Sequence, residues 1–171
     1  MLNVCLFEPE IPQNTGNIAR TCAATGASLH LVHPLGFSIS EKAVRHAGLD
    51  YWKDVRIIEY QNVDDFLNQH KEDKNLFFFS TKAQKCYSDI DYASLEGEIY
   101  LIFGKESRGI EEDILFKHKD NSVRIPMIGE TRSLNLSNSV AIAVYEVLRQ
   151  QGFPSFTTTG NLRKYSWEDA I

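Results

Sequence analysis

A chain of 171 residues is long enough for one domain with its own core and too short for two ordinary ones. Hydrophobic residues at 43% and charged residues at 24% sit near globular averages, which excludes disordered and fibrous classes. A net charge of −5 argues against a nucleic acid held by bulk charge, although a local basic patch is enough to bind one.

The opening Met1-Leu2-Asn3-Val4-Cys5-Leu6-Phe7-Glu8 lacks the basic flank and cleavage site of a signal peptide, and no apolar run reaches about 18 residues. A cytoplasmic protein without a membrane partner is therefore expected. Cys5, Cys22 and Cys86 are odd in number and far apart, with no CxxC pair, so they are expected to be reduced and mostly buried. His30, His33, His46, His70 and His118 show no metal-ligand spacing, and no metal is expected.

In chain order, Leu2 to Phe7 reads as a buried strand stopped by Glu8-Pro9. The turn formers Pro12 to Asn17 predict a loop, and Ile18 to Thr25 a helix closed by Gly26. Leu29 to His33 predicts a second strand, and Ser40 to Ala47 a short helix with Ser40 as N-cap. Val55 to Tyr60 and Leu76 to Ser80 follow as strands, with a helix from Val63 to His70 between them. Further on come a strand from Ile99 to Phe103, a helix near Glu112 to Phe116, a strand from Val123 to Met127 and a long helix from Asn135 to Gln151. Phe153 to Ile171 is polar and irregular and reads as a tail. This alternation predicts a single α/β domain, a mostly parallel sheet flanked by helices.

Three clusters can carry chemistry. Asn14-Thr15-Gly16-Asn17-Ile18-Ala19-Arg20 offers capping groups and free backbone N–H donors, with Arg20 about one turn further on. Phe103-Gly104-Lys105-Glu106-Ser107-Arg108-Gly109-Ile110 places Gly104 at the carboxyl end of a strand, where backbone can approach a ligand. Its two glycines do not make a P-loop, because Ile110-Glu111 stand where Lys and Ser or Thr are required. The third cluster, Ile125 to Val140, crowds Ser, Thr, Asn, Glu and Arg between a strand and an apolar helix, more donors and acceptors than capping needs. No GxGxxG, GxSxG or HExxH occurs, which removes the common dinucleotide, serine-hydrolase and zinc-protease readings.

In this order, Glu8 to Arg20, Phe103 to Gly109, and Arg124 to Met127 with Arg132 to Asn138 resemble the three motifs of the SPOUT RNA methyltransferases. Within that superfamily the likeness is to the YibK (TrmL) group of tRNA (cytidine/uridine-34 2′-O)-methyltransferases, and it runs from Met1 to about Pro154. Lys105 departs from the pattern, standing where Pro is common, and the tail is longer than usual. The resemblance implies a methyltransferase domain over residues 1–154 and a tail over 155–171, with a deep C-terminal trefoil knot that periodicity cannot show. It also implies S-adenosylmethionine as methyl donor, the wobble nucleotide of a tRNA as acceptor, a leucine tRNA foremost, and a homodimer.

Carried onto this sequence, the resemblance puts Phe79, Ser80, Thr81, Gly104, Glu106, Ile125, Met127, Ser133 and Leu134 around the cofactor, and Arg20, Asn135 and Ser137 at the chemistry. A guanidinium stays protonated, so Arg20 is expected to hold the neighbouring phosphate and stabilise the developing alkoxide rather than act as a base. Lys82, Lys85, Lys105, Arg108 and Arg132 are candidates for a basic patch, with a plain solvated surface as the alternative. The dimer expectation also draws on the apolar Val140, Ile142, Ala143, Val144, Val147 and Leu148 of the last helix. Methylation at another RNA site, a phosphate-handling enzyme and a non-catalytic RNA-binding module remain open.

Overall fold

The computed structural model describes residues 1–38, 52–129 and 133–169. Seven strands form one sheet: β1 (Leu2–Phe7), β2 (Ser28–Val32), β3 (Ile57–Tyr60), β4 (Leu76–Phe79), β5 (Lys85–Cys86), β6 (Ile99–Phe103) and β7 (Ser122–Arg124). Their order across the sheet is β3-β2-β1-β6-β4-β7-β5, and every neighbouring pair is parallel. The helices are α1 (Pro12–Thr25), α2 (Val63–Gln69), α3 (Glu112–Lys117) and α4 (Leu136–Gln150). The helix expected over Ser40 to Ala47 lies outside the described residues.

A parallel sheet with helices on both faces buries both faces, which is why its strands read as unbroken apolar runs. Alternate residues feed two separate cores. Val4, Leu6, Leu29, Leu31, Leu101 and Phe103 face α1 and α4, whereas Cys5, Phe7, Phe78 and Ile102 pack with Phe66 of α2 and Leu115 of α3. On α4 the buried residues are Val140, Ala143, Val144, Val147 and Leu148, the spacing of a single helical stripe. That apolar surface is thus consumed inside the protomer, leaving Ile142 and Tyr145 exposed.

Two expectations shift by a few residues, and one short strand is new. α1 begins at Pro12, six residues before the predicted start, because proline is preorganised for the first helical position. Asn14, Thr15 and Gly16 are therefore buried within the helix rather than forming a loop before it. β7 stops at Arg124, since Pro126 has no N–H to give a ladder, so Ile125 to Met127 leave the sheet. The two-residue β5 carries too little pattern to be read in advance.

Cys5 and Cys22 are free and buried, and Cys86 is half-buried. His30 lies 4% exposed in β2 between Tyr60 Oη at 2.9 Å and Asn3 Oδ1 at 3.1 Å. Tyr60 continues to His70 at 2.8 Å, and His70 to Asp73 at 2.7 Å. His118 stacks on Phe78, while His33 pairs with Glu59 at the surface. After α4, Phe153 and Phe156 pack against the first core, and residues 157–168 are exposed. No helix among the described residues is long and apolar enough to cross a membrane.

Candidate active site

In open parallel sheets ligands sit outside the carboxyl ends of the strands, where the loops converge. Here the loops after β4, β6 and β7 and the segment entering α4 enclose a cavity of about 580 Å³. Phe79, Ser80, Thr81, Gly104, Glu106, Ile125, Met127, Ser133 and Leu134 all line it, as does Asn135. Three sequence-distant clusters are thereby brought to one place. Its walls mix the apolar Phe79, Phe103, Met127 and Leu136 with backbone groups and the side chains of Ser80, Thr81 and Ser139.

Two reciprocal clasps hold the loop after β6 against the entry to α1. Ile11, the residue that caps α1, offers no side-chain bond. Glu106 does this work from across the cavity: its carboxylate accepts from Glu10 N (2.8 Å), Ile11 N (3.3 Å) and Asn14 Nδ2 (3.0 Å). Carboxylate at a helix amino end is favoured by the unpaired N–H groups and by the helix dipole. In return, the Glu10 carboxylate accepts from Ser107 N and Oγ, both at 2.9 Å, and these bonds lower its pKa. Lys105 Nζ pairs with Glu8 at 2.6 Å, which raises the lysine pKa.

The chain of contacts continues to the third cluster. Asn135 Nδ2 donates to Asn14 Oδ1 at 2.9 Å, and Asn135 Oδ1 accepts from Ser137 N, Ser137 Oγ and Asn138 N, capping α4. Glu106, Asn14 and Asn135 thus link both helix amino ends across one wall of the cavity.

Both Glu106 oxygens are engaged by the entry to α1 while the residue also lines the cavity, so it forms part of the wall. A Cβ on Gly104 would meet Gly109 C at 2.1 Å and Ile110 N at 2.3 Å, so the fold of the loop by itself requires glycine there. Ser137 does not line the cavity and serves the α4 cap. Arg20 is exposed and also lies off the cavity lining, on the α1 stripe shared with Gln13 and Asn17 and about 9 Å along the axis from Asn14.

Of the expected basic patch, Lys82 is paired with Glu112 at 2.8 Å and Lys105 with Glu8, while Arg132 lies outside the described residues. The patch is partly neutralised. In the sequence Asn14 reads only as a capping group, because its role in joining Glu106 to Asn135 depends on contacts 92 and 121 residues apart. Among the described residues no group of three or more His, Cys, Asp or Glu is arranged to hold a metal.

A tRNA (cytidine(34)-2′-O)-methyltransferase of Saccharophagus degradans is 47% identical over 154 residues, 90% of this chain and 97% of its own. A solved structure described as giving insights into the 2-OH methylation of C/U34 on tRNA aligns with a TM-score of 0.80 at 41% identity, covering 89% of this chain and 97% of that one. An AdoMet-bound rRNA methyltransferase of Sinorhizobium meliloti aligns with a TM-score of 0.74 at 27% identity, over 86% of this chain and 56% of that one. The family model of the SpoU rRNA methylases matches residues 1–145, which contain the β4, β6 and β7 loops and the α1 and α4 amino ends, and the chain belongs to that family.

Proposed function

We propose that this protein transfers the methyl group of S-adenosylmethionine to the ribose 2′-OH of nucleotide 34 of a tRNA, a cytidine or a uridine. The observation that carries this reading is the convergence of the three motif clusters on one cavity at the carboxyl edge of the sheet. The similarity to the Saccharophagus degradans enzyme over nearly its whole length supports the same acceptor.

The cavity fits the cofactor. Its volume of about 580 Å³ falls within the range of roughly 300–1,000 Å³ of small-molecule sites. Phe79, Ile125, Met127 and Leu134 would hold the adenine in an apolar slot, and backbone groups at Thr81, Gly104 and Ser133 would supply its polar partners. S-adenosylmethionine, when bound, supplies an electrophilic methyl group on a sulfonium.

The chain must then align the ribose hydroxyl with that methyl and exclude water. Asn135 uses one amide N–H on Asn14, and its second N–H serves to orient the acceptor oxygen. Arg20 remains a cation throughout, holding a phosphate and stabilising charge as the hydroxyl loses its proton. Its place on the outer stripe of α1 suits a group that meets RNA arriving from outside.

Residues 1–154 form the catalytic domain and 155–171 an appended tail in this reading. The trefoil knot enters this reading through the family to which the chain belongs. The enzyme acts in the cytoplasm in this reading, as a homodimer whose pairing is supported by the exposed Ile142 (37%) and Tyr145 (46%) of α4.

Purified protein incubated with S-adenosylmethionine and unmodified tRNA, a leucine isoacceptor first, tests the function. Mass-spectrometric mapping should place one 2′-O-methyl group at nucleotide 34. Methyl groups only at other tRNA positions or on ribosomal RNA would overturn the assignment.

A further inference from the structure

Among the described residues, three cations line the main cavity, Lys82, Lys105 and Arg108. Lys82 is engaged by Glu112 at 2.8 Å, and Lys105 by Glu8 at 2.6 Å with Glu111 at 4.0 Å. Arg108 is exposed and makes no hydrogen bond or ion pair with any described residue.

Its backbone, by contrast, is tightly held. Gly109 N donates to Lys105 O at 2.8 Å, closing residues 105–109 into a small antiparallel bridge. Ser107 is tied to Glu10 by two bonds of 2.9 Å, and Gly104 packs so closely under Gly109 that no Cβ fits between them. A guanidinium that touches no described carboxylate, and is felt by Glu10 only at longer range, is thus presented on a fixed platform, so little ordering remains to be done when it binds.

Arg108 also stands at a boundary. A second cavity of about 430 Å³, lined by Lys82, Arg108, Ile110, Glu111, Glu112 and Asp113, adjoins the first, and Lys82 and Arg108 are the residues common to both. The second cavity carries three carboxylates, which repel a phosphodiester from the α3 side. Any strand that delivers a ribose into the main cavity along this edge meets Arg108 as the cation still available.

We infer that Arg108 grips the phosphodiester flanking the acceptor nucleotide and so sets the register of the ribose over the methyl donor. A planar fork suits bidentate contact with phosphate oxygens. This rests on the proposed RNA methylation, and it makes Arg108, rather than the lysines of the same cavity, the group that binds the acceptor strand there.

The test uses the full chain, S-adenosylmethionine and the tRNA that the wild type methylates. For R108A, tRNA binding measured by filter retention across a salt series should weaken roughly tenfold. The slope of log affinity against log salt should fall by about 0.7 to 0.9, the loss of one phosphate contact. The melting temperature and the calorimetric affinity for S-adenosylmethionine should stay at wild-type values. R108K should keep most of the slope while recovering only part of the affinity, because a point charge lacks the fork. Unchanged tRNA affinity and slope in R108A would overturn the inference. So would weakened S-adenosylmethionine binding with an unaltered slope, which would put the guanidinium on the cofactor carboxylate. Wild-type protein that methylates no RNA would instead refute the functional reading, a separate result.

Discussion

Replacing Glu106 by Gln separates two accounts of this residue, a ligand of the cofactor and a cap of α1. The Gln side chain keeps the shape, yet it turns one of two acceptor oxygens into an NH2 group facing backbone N–H donors. Glu106 makes three such bonds, to Glu10 N, Ile11 N and Asn14 Nδ2, and two of them are solvent-exposed, so full values for charged hydrogen bonds do not apply. Loss of an N-cap costs about 0.5–2 kcal/mol and loss of charge at a helix amino end about 0.3–1 kcal/mol. Because Gln keeps one acceptor oxygen, E106Q loses part of this total, on the order of 1–2 kcal/mol, and E106A, which removes all three bonds, roughly 2–3 kcal/mol. For a domain of this size the Gln variant should melt about 2–8 °C below wild type. Differential scanning calorimetry gives the stability and titration calorimetry the S-adenosylmethionine affinity. A cap predicts that both fall together, since Asn14 and Asn135 lose their anchor. E106Q with wild-type melting and sharply reduced cofactor affinity would refute the cap and restore the direct-ligand role.

Arg20→Ala should leave S-adenosylmethionine affinity near wild type while single-turnover methylation falls by roughly 10²-fold, with Arg20→Lys recovering part; full activity in the Ala variant would make Arg20 an ordinary surface residue. Gly104→Ala drives a Cβ into the Gly109 backbone at 2.1 Å, so melting temperature and cofactor affinity should drop together, and a variant of normal stability would disprove the packing argument. Burial lowers the His30 pKa to about 4, helped by the nearby His70 charge. A folded value below the unfolded one of about 6.5 means that this stabilisation is complete above pH 6.5 and is lost as pH falls toward 4, by an amount on the order of 3 kcal/mol. His30→Gln should therefore flatten denaturant-measured stability between pH 7 and 4.5, and an unchanged slope there would rule His30 out as its source. Light scattering at micromolar concentration should give a dimer mass, and Ile142→Asp with Tyr145→Asp should give a monomer of unchanged fold; a wild-type monomer would dismiss the pairing.

Much of the site was legible because its residues are punctuation. Gly104 after an apolar strand, Pro126 after Ile125, and Ser133 to Asn138 before a striped helix each mark a break in periodicity, and such breaks in a parallel sheet fall where loops gather. The resemblance of those clusters to a known family supplied what periodicity could not, the identity of the ligand. Boundaries were harder. Nothing in the turn formers Pro12 to Asn17 shows locally that they begin a helix, because the carboxylate that caps it belongs to Glu106, more than ninety residues away.

From its residues alone this protein determined two apolar faces per strand, and hence a sheet covered on both sides, together with the stripe of α4 and the reduced state of its buried cysteines. The tertiary structure decided which polar groups meet. It joined Glu106 to the entry of α1 and Ser137 to Asn135. It set Gly104 against Gly109, and among the described residues of the cavity wall it left Arg108 as a cation in no direct ion pair. Hydrophobic pattern is local and repeats with the period of the element, so it can be read along the chain. Hydrogen bonds and ion pairs form between atoms a few ångströms apart in space, and here their partners lie about a hundred positions apart in sequence.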